Sequence, residues 1–123
     1  MTEILVDSSV LINLFIGKTG DRIKAHLQNH RLSISLITYY EALHFGYKNG
    51  LPVEPVKERL QKYPMKPLTP KICERAANLA HSHGFSMADA LIYATSLEAG
   101  IKLATSDSDL KGKKGVVFMA PKN

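Results

Sequence analysis

Apolar residues occur along this chain in two alternating patterns. Short apolar runs predict buried strands, at residues 3–6, 31–35, 65–68, 101–104 and 116–119. Between them, apolar residues three and four positions apart predict helices, at residues 8–16, 20–29, 36–48, from 52 onward, 69–83 and 86–98. Because strands and helices alternate, the pattern predicts a three-layer α/β/α fold with a central, mostly parallel sheet of four to five strands.

Four acidic residues lie beside segments that this pattern predicts to be buried. They are Asp7 after the first strand, Glu41 and Asp89 within helices, and Asp107 after the fourth strand. Ligands of parallel sheets collect beyond the carboxyl ends of the strands, where Asp7 and Asp107 fall. A carboxylate in buried surroundings is costly unless it is paired or bound to a cation. If the fold brings the four together, their mutual repulsion predicts a divalent metal site.

Three of these acids also have a simpler structural interpretation. Asp7 precedes a helix and could serve as its N-cap. Asp89 follows Ser86 by three residues and could complete a capping box. Asp107 and Asp109 share a polar turn in which either could cap or form an Asx turn, so the choice between them stays open.

Glu41 has no helix end to cap, because it lies in the middle of a helix among apolar neighbours. A salt bridge to Lys or Arg is the alternative to a place in a site. The combination of one inward glutamate with three aspartates at strand or helix ends is what favours metal chemistry.

The composition limits the class of protein. With 123 residues, 45% of them hydrophobic and 22% charged, the chain is expected to form one domain over residues 1–123. We expect no membrane span, since polar residues such as Asp7 and Asn13 interrupt the first apolar stretch. A single cysteine, Cys73, argues against an internal disulfide and a cysteine zinc site, and suits the reducing cytoplasm.

The net charge of +5 is more informative when the four acids are set aside. Removing them from the 11 acidic residues leaves 7 against 16 basic residues, a balance of +9. An acidic focus in a basic surround suits a nucleic acid, because Lys and Arg neutralise phosphates while carboxylates hold metal. Many small basic proteins bind no polyanion, so the charge alone does not decide this.

Four segments spread over the chain carry these acids. They are Ile-Leu-Val-Asp7-Ser-Ser9-Val-Leu-Ile, the helix with Glu41, Met-Ala-Asp89-Ala-Leu-Ile-Tyr-Ala, and Leu-Ala-Thr105-Ser-Asp107-Ser-Asp109-Leu. In this order they resemble the PIN-domain ribonucleases of the small VapC-like toxin type. The resemblance implies the strand order 3-2-1-4-5, dependence on Mg²⁺ or Mn²⁺, frequent homodimers, and hydrolysis of RNA to a 5′-phosphate and a 3′-hydroxyl. We expect single-stranded or loop RNA as the substrate, although the resemblance does not determine substrate selectivity. A toxin of this type would have a small antitoxin protein as its partner.

The resemblance also implies roles for individual residues. The catalytic acids would be Asp7, Glu41, Asp89 and Asp107. Of these, Asp7, Asp89 and Asp107 would bind the metal, and Glu41 would orient or deprotonate the attacking water. The supporting residues would be Ser9, Thr105 and Asp109, of which Ser9 and Thr105 would orient carboxylates or metal-bound waters.

A polar loop with one helical turn is predicted over residues 105–114, and three lysines lie in it. Lys111, Lys113 and Lys114 are close to Asp107 in the sequence and could contact substrate phosphates. A solvated loop without such contacts is the alternative interpretation.

Other functions fit parts of the sequence. A phosphotransfer domain could use Asp7 as a covalent acceptor, but haloacid-dehalogenase phosphatases have a second aspartate where this chain has Ser9. No glycine-rich phosphate-binding loop is found, which argues against an NTPase. A non-catalytic module that binds RNA or protein, and a nuclease of RNA maturation, are further alternatives.

Overall fold

A parallel sheet of five strands forms the centre of the computed structural model, which describes residues 2–120. The strands are β1 (Glu3–Val6), β2 (Arg31–Ser35), β3 (Met65–Lys66), β4 (Lys102–Thr105) and β5 (Val116–Phe118). They lie in the order β3-β2-β1-β4-β5, and all four neighbouring pairs are parallel. The predicted fold class and strand order are therefore confirmed.

Helices flank this sheet and connect its strands. They are α1 (Ser8–Phe15), α2 (Asp21–Gln28), α3 (Leu36–Lys48), α4 (Val53–Leu60), α5 (Pro70–His83) and α6 (Met87–Ala99). A single 3₁₀ turn, Ser108–Leu110, lies between β4 and β5. Within residues 2–120, no helix has both the length and the apolar character needed to cross a bilayer.

The third strand is shorter than predicted. We expected it over residues 65–68, whereas only Met65–Lys66 pairs with β2. Pro67 has no N–H to donate to the ladder, so it ends the pairing. The chain then passes to Thr69, whose hydroxyl caps helix α5.

Successive residues of the central strands are buried on opposite faces of the sheet. Ile4 and Val6 of β1 pack with residues of α1 to α4. Leu5, between them, packs with Leu103 of β4 and Ile92 of α6. Since both faces are covered, every position of such a strand can be apolar, which explains the unbroken apolar runs. Each fully buried aliphatic side chain contributes about 1.5–3 kcal/mol.

Several helix starts lie at the edge formed by the carboxyl ends of the strands. Helix α1 begins directly after Asp7, and α3 begins directly after Ser35 at the end of β2. The Asp7 N–H donates to the Ala104 carbonyl at 2.9 Å, which links the ends of β1 and β4. Helix N-termini carry a partial positive charge, so this edge favours carboxylates.

Candidate active site

Asp7 lies between strand β1 and helix α1, and only 4% of its surface is exposed. Its Oδ2 accepts a hydrogen bond from the Thr105 hydroxyl at 2.6 Å. Its Oδ1 accepts one from the Ser8 backbone N–H at 2.6 Å, so Asp7 also caps helix α1. The predicted capping role of Asp7 is therefore found, and its place in a metal site stays a prediction.

Thr105 joins Asp7 to the loop that carries Asp107. The Thr105 hydroxyl donates to Asp7 and accepts the Asp107 N–H at 3.0 Å. Burial raises the pKa of Asp7 above its ordinary value, and the negative charge of Asp107 raises it further. The bonds from Thr105 and Ser8 stabilise the ionised form and oppose this rise.

Glu41 approaches the same place from the middle of helix α3, where it is half-buried. The Ser8 hydroxyl donates to Glu41 Oε1 at 2.7 Å. No Lys or Arg among residues 2–120 forms an ion pair with Glu41, so the predicted salt-bridge alternative is not found there. Burial raises the pKa of Glu41, and the charge of Asp7 adds to this, whereas the Ser8 bond lowers it.

Asp89 lies in the first turn of helix α6. Its N–H donates to the Ser86 hydroxyl at 3.2 Å, which makes Ser86 the N-cap. Partial burial raises the pKa of Asp89 to about 7, and the hydrogen bond and negative charge of Asp107 contribute, as does the charge of Asp7. The first-turn position of Asp89 therefore places its carboxyl against a second acid from the loop after β4.

Asp89, Asp107 and Asp109 form a compact group. One carboxylate oxygen of each lies within 4.8 Å of one from each of the others. Asp107 Oδ1 also accepts the Asp109 N–H at 2.9 Å, so a local turn holds the two loop aspartates together. The sequence left open whether Asp107 or Asp109 belongs to the site, and in the structure both lie beside Asp89. Only the charge of Asp107 also raises the pKa of Asp7.

The donor set of this group fits a hard divalent cation. Carboxylate oxygens are the ligands that Mg²⁺ and Mn²⁺ prefer, and Mg²⁺ completes its shell with water. Within residues 2–120, no Lys or Arg forms an ion pair with any of the three aspartates. Their charge is therefore left for protons or a cation to neutralise.

Two adjacent serines follow Asp7 and make different contacts. The predicted supporting residue, Ser9, accepts the Ser106 N–H at 3.1 Å, and its hydroxyl lies 3.5 Å from Asp7 Oδ2. Sequence reasoning missed Ser8, which contacts both Asp7 and Glu41. A hydroxyl at the first helical position beside an inward aspartate is the local signal that could have indicated it.

The three predicted substrate-binding lysines lie in the loop after the 3₁₀ turn. Lys111 Nζ is 4.8 Å from the centre of the Phe118 ring, and Lys113 Nζ is 5.7 Å from that of Phe85. The Lys114 carbonyl accepts the Tyr93 hydroxyl at 2.6 Å. These contacts hold the loop against the core, and a contact with substrate phosphates stays a prediction.

Comparison with known proteins identifies the family. A family model described as PIN domain matches residues 4–115. This chain belongs to the PIN domain family. The matched range includes all four predicted catalytic acids of this PIN domain, and the resemblance stated from the sequence is confirmed at that level.

Solved structures share the fold of this PIN domain over nearly its whole length. A chain of a toxin–antitoxin complex from Klebsiella pneumoniae is 27% identical, with a TM-score of 0.82 and 98% of each chain covered. A chain of VapBC2 from Rickettsia felis, crystallised with a promoter DNA fragment, is 16% identical, with a TM-score of 0.72 and coverage of 96% and 98%. A chain of DNA-bound VapBC from Salmonella typhimurium is 16% identical, with a TM-score of 0.72 and coverage of 97% and 98%. The comparison with curated proteins finds no match.

Proposed function

We propose that this PIN domain, over residues 1–123, is a metal-dependent endoribonuclease that hydrolyses phosphodiester bonds in single-stranded or loop RNA. The observation that carries the proposal is the meeting of acids from two distant parts of the chain, with Asp7 close enough to act on them. Asp89 of α6 lies with Asp107 and Asp109 of the loop after β4, and Asp7 acts electrostatically on Asp89. Acids that raise one another's pKa values are a recognised feature of catalytic and metal-binding sites.

Asp7, Asp89 and Asp107 would hold Mg²⁺ or Mn²⁺, with Asp109 supporting them. When bound, the cation lowers the pKa of a water and stabilises negative charge on the phosphate. Thr105 links Asp7 to the Asp107 loop, because its hydroxyl bonds to both. Ser9 ties the same loop to α1 through the Ser106 N–H.

Glu41 would take the proton of the attacking water. Its raised pKa moves the carboxylate towards the neutral range in which a general base works best. The water oxygen bonds to phosphorus as the bond to the 3′-oxygen breaks, and the leaving oxygen takes a proton from solvent. The products are a 5′-phosphate and a 3′-hydroxyl.

We further propose that the protein is the toxin of a toxin–antitoxin pair, acts in the cytoplasm, forms a homodimer and is neutralised by a small antitoxin protein. The support is the 27% identity to a chain of a toxin–antitoxin complex over 98% of both chains. A nuclease of RNA maturation or a non-catalytic binding module would retain the same fold without such a partner.

A cleavage assay tests the enzymatic proposal. Labelled single-stranded RNA is incubated with the protein and Mn²⁺ or Mg²⁺, and we expect cleavage that stops on adding EDTA. Asp7→Asn and Asp89→Asn should each reduce the rate at least about 100-fold, because each removes a charge from the acid group. Glu74→Gln, which alters an exposed acid on α5, is the matched control. Cleavage that is indifferent to EDTA, or full activity of Asp7→Asn, would contradict the proposal.

A further inference from the structure

Ser8 connects two carboxylates that are carried by different elements. It is the first residue of α1 and follows Asp7, whereas Glu41 lies in the middle of α3. The Ser8 backbone N–H donates to Asp7 Oδ1 at 2.6 Å, and the Ser8 hydroxyl donates to Glu41 Oε1 at 2.7 Å. The main chain of Ser8 therefore bonds to one acid and its side chain to the other.

The Ser8 hydroxyl has one proton and two acceptors within reach. Its oxygen is 2.7 Å from Glu41 Oε1 but 3.4 Å from Asp7 Oδ1. The shorter distance is the usual one for an O–H···O bond, and the longer one exceeds it. Asp7 already accepts the Thr105 hydroxyl and the Ser8 N–H. The proton therefore goes to Glu41.

Glu41 depends on this bond for its orientation. Within residues 2–120, no other side chain donates a hydrogen bond to Glu41. A glutamate has several rotamers, and the negative charge of Asp7 repels this one from the site. Because Ser8 occupies Oε1, the carboxylate is held beside Asp7 and its Oε2 is left to accept a proton from water.

We propose that Ser8 is a positioning residue, whose hydroxyl holds Glu41 in the orientation needed to accept the proton of the attacking water. This inference rests on the proposed nuclease function. Ser8 and Ser9 then have different roles, because the Ser9 hydroxyl accepts the Ser106 N–H and stabilises the loop after β4.

Kinetics in two backgrounds test the assignment. Ser8→Ala should lower kcat about 10- to 100-fold and change KM for RNA less than about twofold, because it disturbs an orienting contact. Ser8→Thr keeps a hydroxyl and should remain within about threefold of the parent. In a Glu41→Gln background, measured under single-turnover conditions, Ser8→Ala should add less than about a twofold loss, since the base it positions is gone.

A control variant removes a buried hydroxyl outside the site. Ser96→Ala deletes a hydroxyl that donates to the Tyr93 carbonyl at 2.8 Å near the end of α6, and kcat should stay near that of the parent. Two results overturn the assignment. One is an equal loss of rate from Ser8→Ala in the parent and in the Glu41→Gln background, and the other is a Ser8→Thr variant with a kcat as low as that of Ser8→Ala.

Metal binding in the absence of RNA gives a second readout. Calorimetric titration with Mn²⁺ should give Ser8→Ala an affinity within about twofold of the parent, because Ser8 acts on Glu41 and not on the aspartates. If Ser8→Ala loses as much Mn²⁺ affinity as Asp89→Asn does, Ser8 acts through Asp7 and not through Glu41, and the assignment is overturned.

A failure of the nuclease proposal can be distinguished from a failure of the proposed role of Ser8. If the parent binds Mn²⁺ but cleaves no RNA, the proposed activity is wrong. The Ser8–Glu41 bond is then tested by urea midpoints of Ser8→Ala, Glu41→Ala and the double variant in EDTA. Non-additive midpoints support the link between the two side chains, and additive midpoints overturn it.

Discussion

The carboxyl group of Asp89 has a very different pKa in the unfolded chain and in the folded site. In the unfolded chain its carboxyl ionises near the ordinary value of 3.8, whereas in the folded protein burial and the neighbouring aspartates raise its pKa to about 7. The folded state therefore retains a proton that the unfolded state has released. Stability contributed by this residue is present below pH 4 and is lost as the pH rises towards 7.

We predict that Asp89→Asn stabilises the metal-free protein at pH 8 and has little effect at pH 4. At pH 8 the free energy of unfolding should rise by about 1–2 kcal/mol, a figure that allows for solvent screening of a partly exposed carboxyl. Urea unfolding in EDTA at the two pH values measures it. An equal change in the free energy of unfolding at pH 4 and pH 8 would show that the proton held by Asp89 is not the cause.

Helix caps place several of the site residues at the scale of the secondary-structure element. Asp7 caps α1, Ser35 caps α3 and Ser86 caps α6, all at or near the carboxyl edge of the sheet. Each cap determines where its helix starts, and thereby which residue of the helix reaches the site. Glu41 is in the second turn of α3 and Asp89 is in the first turn of α6 because of these starts.

Ser35→Ala should destabilise the protein without changing its metal affinity. The buried Ser35 hydroxyl accepts the Thr38 N–H at 3.0 Å, and loss of such a cap costs about 1–2 kcal/mol. Urea unfolding measures the loss, and Mn²⁺ titration should be unaltered. Ser35→Thr, which keeps a capping hydroxyl, serves as the comparison, and a fall in Mn²⁺ affinity in Ser35→Ala would contradict the expectation.

At the scale of the whole molecule, a cation would relieve repulsion between parts of the chain that are distant in sequence. Asp7 follows the first strand, Asp89 belongs to the last helix, and Asp107 and Asp109 follow β4. An ion bound by these acids in the folded state alone stabilises the entire fold, because the unfolded chain cannot present the same set of ligands.

Mn²⁺ should therefore raise the melting temperature of the protein, and EDTA should reverse the rise. At a free concentration of about 100 times Kd the stabilisation amounts to about 2.7 kcal/mol. Asp89→Asn should show a much smaller rise, and Glu74→Gln should behave as the parent does. Equal shifts in all three proteins would indicate that the ion binds elsewhere.

The sequence by itself determined the elements and their order. Strand β2 and helix α3 were predicted at 31–35 and 36–48, with the bounds that the structure has, because apolar spacing and capping residues act locally. The apolar run before Asp7 also placed this residue at the carboxyl end of β1. The contacts of the site were decided only by the tertiary structure. The Thr105–Asp7 bond joins residues 98 positions apart and the Ser8–Glu41 bond joins residues 33 apart, so both depend on the pairing of β1 with β4 and the packing of α1 on α3. A local pattern carries no information on such distances, which is why the Ser8–Glu41 bond and the approach of Asp107 and Asp109 to Asp89 became visible only in the folded chain.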